Sequence, residues 1–126
     1  MKIAANIIGG LLGLAFIAFS LPVLLKLFPI PQMPEGTPVA SFMAAFVPTG
    51  YLTFVKFFEL IGGCLVAVPC TRNFGLLVLG PIILNILAFH LFIMKGEGLF
   101  GVPIIIAFVA LFLLWVGRKA FAGLMN

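Results

Sequence analysis

Four long apolar runs, at residues 3–25, 51–68, 74–94 and 99–117, take up most of this 126-residue chain. A bilayer core is spanned by about 20 mostly apolar residues in a helix. Hydrophobic residues make up 64% of the chain and charged residues 8%, whereas a soluble domain is ordinarily about a quarter charged. That composition leaves no soluble domain to build. The expected fold is all-α, a four-helix transmembrane bundle formed as one integral membrane domain over residues 1–126. The first run extends past the ~7–15 residues of a signal-peptide apolar region and lacks a small-x-small cleavage site after it. A retained helix is expected there.

Charge bias orients the helices. The N-terminus, the second connection and the C-terminus share one side and carry Lys2, Arg72, Arg118 and Lys119, without acids. The first and third connections carry Lys26 and Lys95, offset by Glu35 and Glu97. Lys and Arg near membrane ends favour the cytoplasm, so both termini are expected there. The net charge of +4 thus reads as topology and contact with the lipid bilayer. No basic stripe interleaved with aromatics lies outside the apolar runs, which argues against nucleic acid as a partner.

The second and third connections, residues 69–73 and 95–98, are short enough to make the last three helices antiparallel neighbours. The first connection is longer. Its prolines at 29, 31 and 34 remove backbone donors and exclude a regular helix. Residues 39–46 follow with room for two helical turns, and Phe42 and Phe46 share a face. A short interfacial helix on the outer surface is expected, as a lid. On the first helix Ala5, Gly9 and Gly13 are spaced by four. Such a stripe serves either an oligomer interface or packing within one bundle, and the second use is the commoner.

The charges inside the apolar runs narrow the search for function. Lys56 and Glu59 lie three apart in the second run, and a charge at that depth costs at least ~2.5–3.5 kcal/mol on insertion scales. At 3.6 residues per turn Lys56, Glu59, Leu60, Gly63 and Ala67 form one stripe that must face protein or a wet pocket. Counting 1.5 Å per residue from the outer end puts Lys56 about 7–8 Å deep and Glu59 about 12 Å. On the antiparallel third helix, entered from inside, Asn85 lies about 16 Å up and His90 about 24 Å. The candidate binding residues are therefore Lys56, Glu59, Gly63, Asn85 and His90. Asn85 and His90, five apart, sit roughly 140° apart on a regular helix and face different neighbours unless Pro81 distorts it. Two readings remain open. Lys56 and Glu59 neutralise each other as structural glue, with Lys56 snorkelling, or Glu59 and His90 form an acid/base pair at a titratable site.

Other chemistries fall away. One histidine excludes bis-histidine haem ligation from this chain alone. Cys64 and Cys70 are neither a CxxC motif nor on one helix face, so a disulfide is not expected. No metal-ligand cluster, phosphate loop or nucleophile–base pattern is present.

The run Phe54-Val55-Lys56-Phe57-Phe58-Glu59-Leu60-Ile61-Gly62-Gly63, then Thr71-Arg72, then Gly80-Pro81-Ile82-Ile83-Leu84-Asn85-Ile86-Leu87-Ala88-Phe89-His90-Leu91-Phe92, resembles the DoxX family of small bacterial membrane proteins. The Lys26-Leu27-Phe28 exit and the proline-rich first connection fit the same pattern, so the resemblance covers nearly the whole chain. It implies a four-helix inner-membrane protein in which Glu59, Asn85 and His90 match recurring positions. The family is named after a subunit associated with a thiosulfate–quinone oxidoreductase, and some relatives are linked to membrane redox complexes. The cysteines lie outside that pattern. Two functions of different class follow. One is a binding module or subunit, not a standalone enzyme, holding a quinone-like lipid or a membrane or periplasmic redox partner through an outer-leaflet pocket. The other is a small transporter or proton-coupled carrier using Glu59 and His90; the lack of an internal repeat counts against it.

Overall fold

The computed structural model describes residues 2–27 and 34–125. Over these residues the chain is helical, without a strand. Its helices are α1 (Lys2–Leu24), α2 (Pro38–Phe46), α3 (Tyr51–Ala67), α4 (Arg72–Ala88), α5 (Val102–Val116) and α6 (Arg118–Ala122). A π-helical turn, Phe89–Ile93, continues α4, and 3-10 turns lie at Pro69–Thr71 and Gly123–Met125. Most of the proline run in the first connection, residues 28–33, lies outside the described residues.

The expected short helix after that run is present, for a local reason. Thr37 Oγ1 accepts a hydrogen bond from the Ala40 amide at 3.2 Å, and Pro38 occupies the first turn. A side-chain oxygen at the N-cap and a proline just inside are both favoured at helix starts. Further along, the lengths depart from expectation. Among the described residues, two helical stretches are long and apolar enough to cross a membrane, Lys2–Leu24 and Pro69–Ile93. A third arises if α2 and α3, bent by 80° at their junction, count as one span. The fourth run gives α5, at 15 residues about 22 Å long, shorter than a ~30 Å core. Residues 99–101, expected in that helix, form turns instead. Gly96 and Gly98 adopt φ of 86° and 75°, and the Leu99 amide bonds back to the Gly96 carbonyl. Pro103 then suits the first turn of a helix that starts late.

Helix α1 packs most extensively on α3, α3 on α4, and α4 on α5, while α5 closes only thinly onto α1. Glycines explain the tightest contacts. A Cβ on Gly13 would strike the Gly63 carbonyl and Ala67, and one on Gly63 would strike Gly13 and Phe16. Backbones that close need small residues on both sides. The stripe Ala5, Gly9 and Gly13 is buried within the chain against α3 and α4. Packing within one molecule therefore accounts for it, and the stripe is not free to meet a second copy.

The core is apolar and closed at its centre: Phe16, Val66, Leu79 and Leu113 are at most 1% exposed. The outside is apolar too. Ile3, Ile7, Leu14, Phe54, Phe74, Leu84, Phe92 and Phe108 are each more than half exposed. Patches of that extent on a water-facing surface would drive association, so this exterior suits hydrocarbon. Hydrogen bonding between Arg72 and Asn6 brings the starts of α4 and α1 together at one end, where Asn73 also lies against Gly117 at the end of α5. The α2 helix lies at the opposite end, with Phe42 stacked 5.1 Å from Phe89 and 4.9 Å from Phe46.

Candidate functional site: a cavity with a buried ion pair

Toward the α2 end, a cavity of about 310 Å³ opens between the helices. Phe16 and Phe19 of α1, Lys56 and Glu59 of α3, Ile86 of α4, His90 of the π turn, and Val102, Pro103 and Ile106 of α5 line it. The three polar side chains are thus carried by α3 and the π turn, and the apolar walls by α1, α4 and α5.

Glu59 is 4% exposed. Its Oε2 lies 3.1 Å from Lys56 Nζ, one helical turn away. Burial of a lone carboxylate is costly, and an i,i+3 cation on the same helix offsets that cost without help from another segment. Lys56 is only partly buried, which fits an ammonium whose stem runs along apolar surface while its head stays accessible. Among the described residues no hydrogen bond links Glu59 to Asn85 or His90, so the pair is self-contained.

His90 is held differently. Its Nδ1 donates to the Ile86 carbonyl at 2.9 Å, because a carbonyl can only accept. That bond occupies Nδ1 and leaves Nε2 as the nitrogen able to accept a proton. The ring sits in a π-helical turn, and single π turns inside helices recur at functional sites. Phe89 packs edge-on to the ring at 5.3 Å between centroids and also stacks on Phe42 of α2. The lid expected over the cavity is therefore coupled to His90 through Phe89, although neither Phe42 nor Phe46 lines the cavity.

Of the five expected binding residues, the fold brings Lys56, Glu59 and His90 together. Asn85 is exposed on the outer surface of α4 and does not line the cavity. The five-residue separation from His90 turns the two away from each other. Gly63 is buried, but its role is packing against Gly13 and Phe16. The apolar walls from α1 and α5 carry no signal in the sequence, since nothing distinguishes Val102 or Ile106 from the lipid-facing residues beside them.

A second cavity, about 270 Å³ and almost wholly apolar, runs along the thin α1–α5 seam past Leu12, Ala15 and Val109. Phe19, Val102 and Ile106 belong to both. Among the described residues no cluster of three or more His, Cys, Asp or Glu could hold a metal, and Cys64 and Cys70 are free and exposed. Comparison with known protein families, with characterised proteins and with solved structures found no match.

Proposed function

We propose that the chain is a membrane-embedded binding module that takes up an amphiphile, with the polar head at Lys56, Glu59 and His90 and the hydrocarbon tail along the α1–α5 seam. In this reading α1, α3, α4 with its π turn, and α5 form a four-helix transmembrane bundle in the bacterial inner membrane. Both termini are cytoplasmic and α2 lies on the outer interface. The observation that carries the proposal is the pair of cavities with shared walls, one polar at its end and one apolar throughout. Each is near the lower edge of the ~300–1,000 Å³ range of small-molecule sites; joined, they fit a ring with a tail. A quinone-like lipid has that shape and offers carbonyl acceptors to Lys56. In this reading, following what the sequence resemblance to DoxX proteins implies, the module works beside a membrane redox complex as a subunit and not as a standalone enzyme.

A proton-coupled carrier draws less support. Inward of Glu59 the helices are sealed by Val66, Leu79 and Leu113, each at most 1% exposed, and among the described residues no polar side chain continues the path across that layer.

The direct test is to purify the protein from native membrane in mild detergent and identify co-purifying lipids by mass spectrometry. A prenylated or otherwise ring-headed lipid, retained by wild type and lost in Ile106→Trp, supports the proposal. Wild type that retains none, while still folded, overturns it. For orientation, alkaline phosphatase joined after Asn126 should be inactive, and inserted at residues 37–41 it should be active; the reverse pattern moves the cavity to the inner leaflet.

A further inference from the structure

At the other end of the molecule Arg72 presents a problem that the described residues do not solve. It opens α4 and is only 9% exposed. Its Nη2 donates to Asn6 Oδ1 at 3.0 Å, and its Nε is sealed from solvent without any partner. A guanidinium carries five N–H donors and keeps its charge. No carboxylate among the described residues is near enough to pair with it. Glu59 is committed to Lys56, and Glu35 and Glu97 are exposed in the connections at the α2 end.

The seat is nonetheless built for this side chain. A Cβ on Gly9 would meet Nε, Cζ and Cδ of Arg72, so the guanidinium in this position occupies the space that glycine leaves on α1. Asn6, one turn earlier, fixes its plane. Lys2, Arg118 and Lys119 belong to the same end but are exposed and lie outside this seat. A buried charge is retained when paired. With Nε sealed against Gly9, the Nη end of the fork, where only Nη2 has a partner in Asn6, is the part that can meet two oxygens of a tetrahedral oxyanion. We propose that Arg72, seated by Gly9 and Asn6, binds a phosphate group at this end of the molecule, supplied by a phospholipid headgroup. The site is separate from the cavity at Glu59. It depends on the membrane setting only for the source of the phosphate.

The test uses the full chain in a phosphate-free maltoside detergent, with short-chain phosphatidylglycerol or inorganic phosphate added in parallel, read by native mass spectrometry and thermal stability. Wild type should retain one phosphatidylglycerol and melt higher with it. Arg72→Gln should bind about tenfold more weakly or worse, and Arg72→Lys, which keeps charge but not the fork, should fall between. The triple variant Lys2→Gln, Arg118→Gln, Lys119→Gln should keep the tight lipid, since its lost charges attract headgroups only diffusely. Should Arg72→Gln not fold, Asn6→Leu and Gly9→Ala keep the charge while disturbing the seat, and both should weaken binding. If inorganic phosphate gives the same Arg72-dependent rise at millimolar concentration, the phosphate chemistry stands and the source is soluble. Equal lipid retention by wild type and all Arg72, Asn6 and Gly9 variants overturns the site.

Discussion

Two charged side chains are buried among the described residues, and they are stabilised in opposite ways. Glu59, 4% exposed, has its counter-ion one turn away on the same helix. Arg72, 9% exposed, reaches across to α1 for a neutral amide and leaves Nε without a partner. The first arrangement is local and complete: α3 brings its own neutraliser wherever it packs. The second exists only once α1 and α4 are docked, and among the described residues it stays incomplete. Burial alone therefore does not mark a site; what differs is whether the chain supplies the partner.

The largest effect should come from breaking the complete pair on one side. Lys56→Met leaves a buried carboxylate alone and should cost roughly 3–5 kcal/mol, by analogy with buried pairs that lose one member. Adding Glu59→Met to it should restore stability to within about 1 kcal/mol. Both are measurable by unfolding in mixed detergent micelles. A double variant as unstable as the single one would show that Glu59 has partners other than Lys56.

Arg72→Met should behave in the contrary sense. In micelles without phosphate it should shift stability by less than about 1 kcal/mol, because little pairing is lost. With phosphatidylglycerol present, wild type should be ahead by about 1–3 kcal/mol, the range for hydrogen bonds to charged groups. A large loss in both conditions would make Arg72 a structural member of the α1–α4 contact, and the contrast with Glu59 would shrink.

Smaller effects separate seat from charge. Gly9→Ala meets Arg72 directly and should cost about 1–3 kcal/mol as overpacking. Gly10→Ala meets nothing within 4 Å and should gain a few tenths up to about 1 kcal/mol from helix propensity. Equal outcomes at the two positions would mean that Arg72 moves aside freely. Last, Phe42→Ala removes one aromatic pair with Phe89 and should cost about 1 kcal/mol, while loosening the π turn that carries His90. Nitroxide labels at residue 46 should then report faster motion; unchanged motion would detach α2 from the cavity.

The sequence was informative where physics is local. Apolar runs announced α1, α3, α4 and most of α5, and the Phe42–Phe46 spacing after the prolines announced α2, whereas its Thr37 cap went unread. The Lys56–Glu59 spacing announced an intrahelical pair before any partner helix was known. Where the answer depended on two distant segments, it was silent. Arg72 read as a topology charge, because its burial against Asn6 and Gly9 requires a contact 66 residues away in sequence. Asn85 read as part of the site because depth along a helix is countable, whereas the rotation that exposes it is set by packing. The shortness of α5 followed from glycines at positive φ, which a hydropathy window averages away.

The π turn at Phe89–Ile93 has a consequence for chain length. A π turn holds one residue more than an α turn, so it behaves as a tolerated insertion. Deleting a single residue there, Leu91 for example, would leave a regular helix in place of a broken one. The π turn takes up its extra residue within its own width, so the chain on either side would keep its register. The Lys95–Gly101 turns would stay in place with Val102 and Pro103, and the change would fall on the wide turn that carries His90 to the cavity. A deletion within Phe89–Ile93 therefore addresses the setting of His90 alone, which a substitution that also changes a side chain does not.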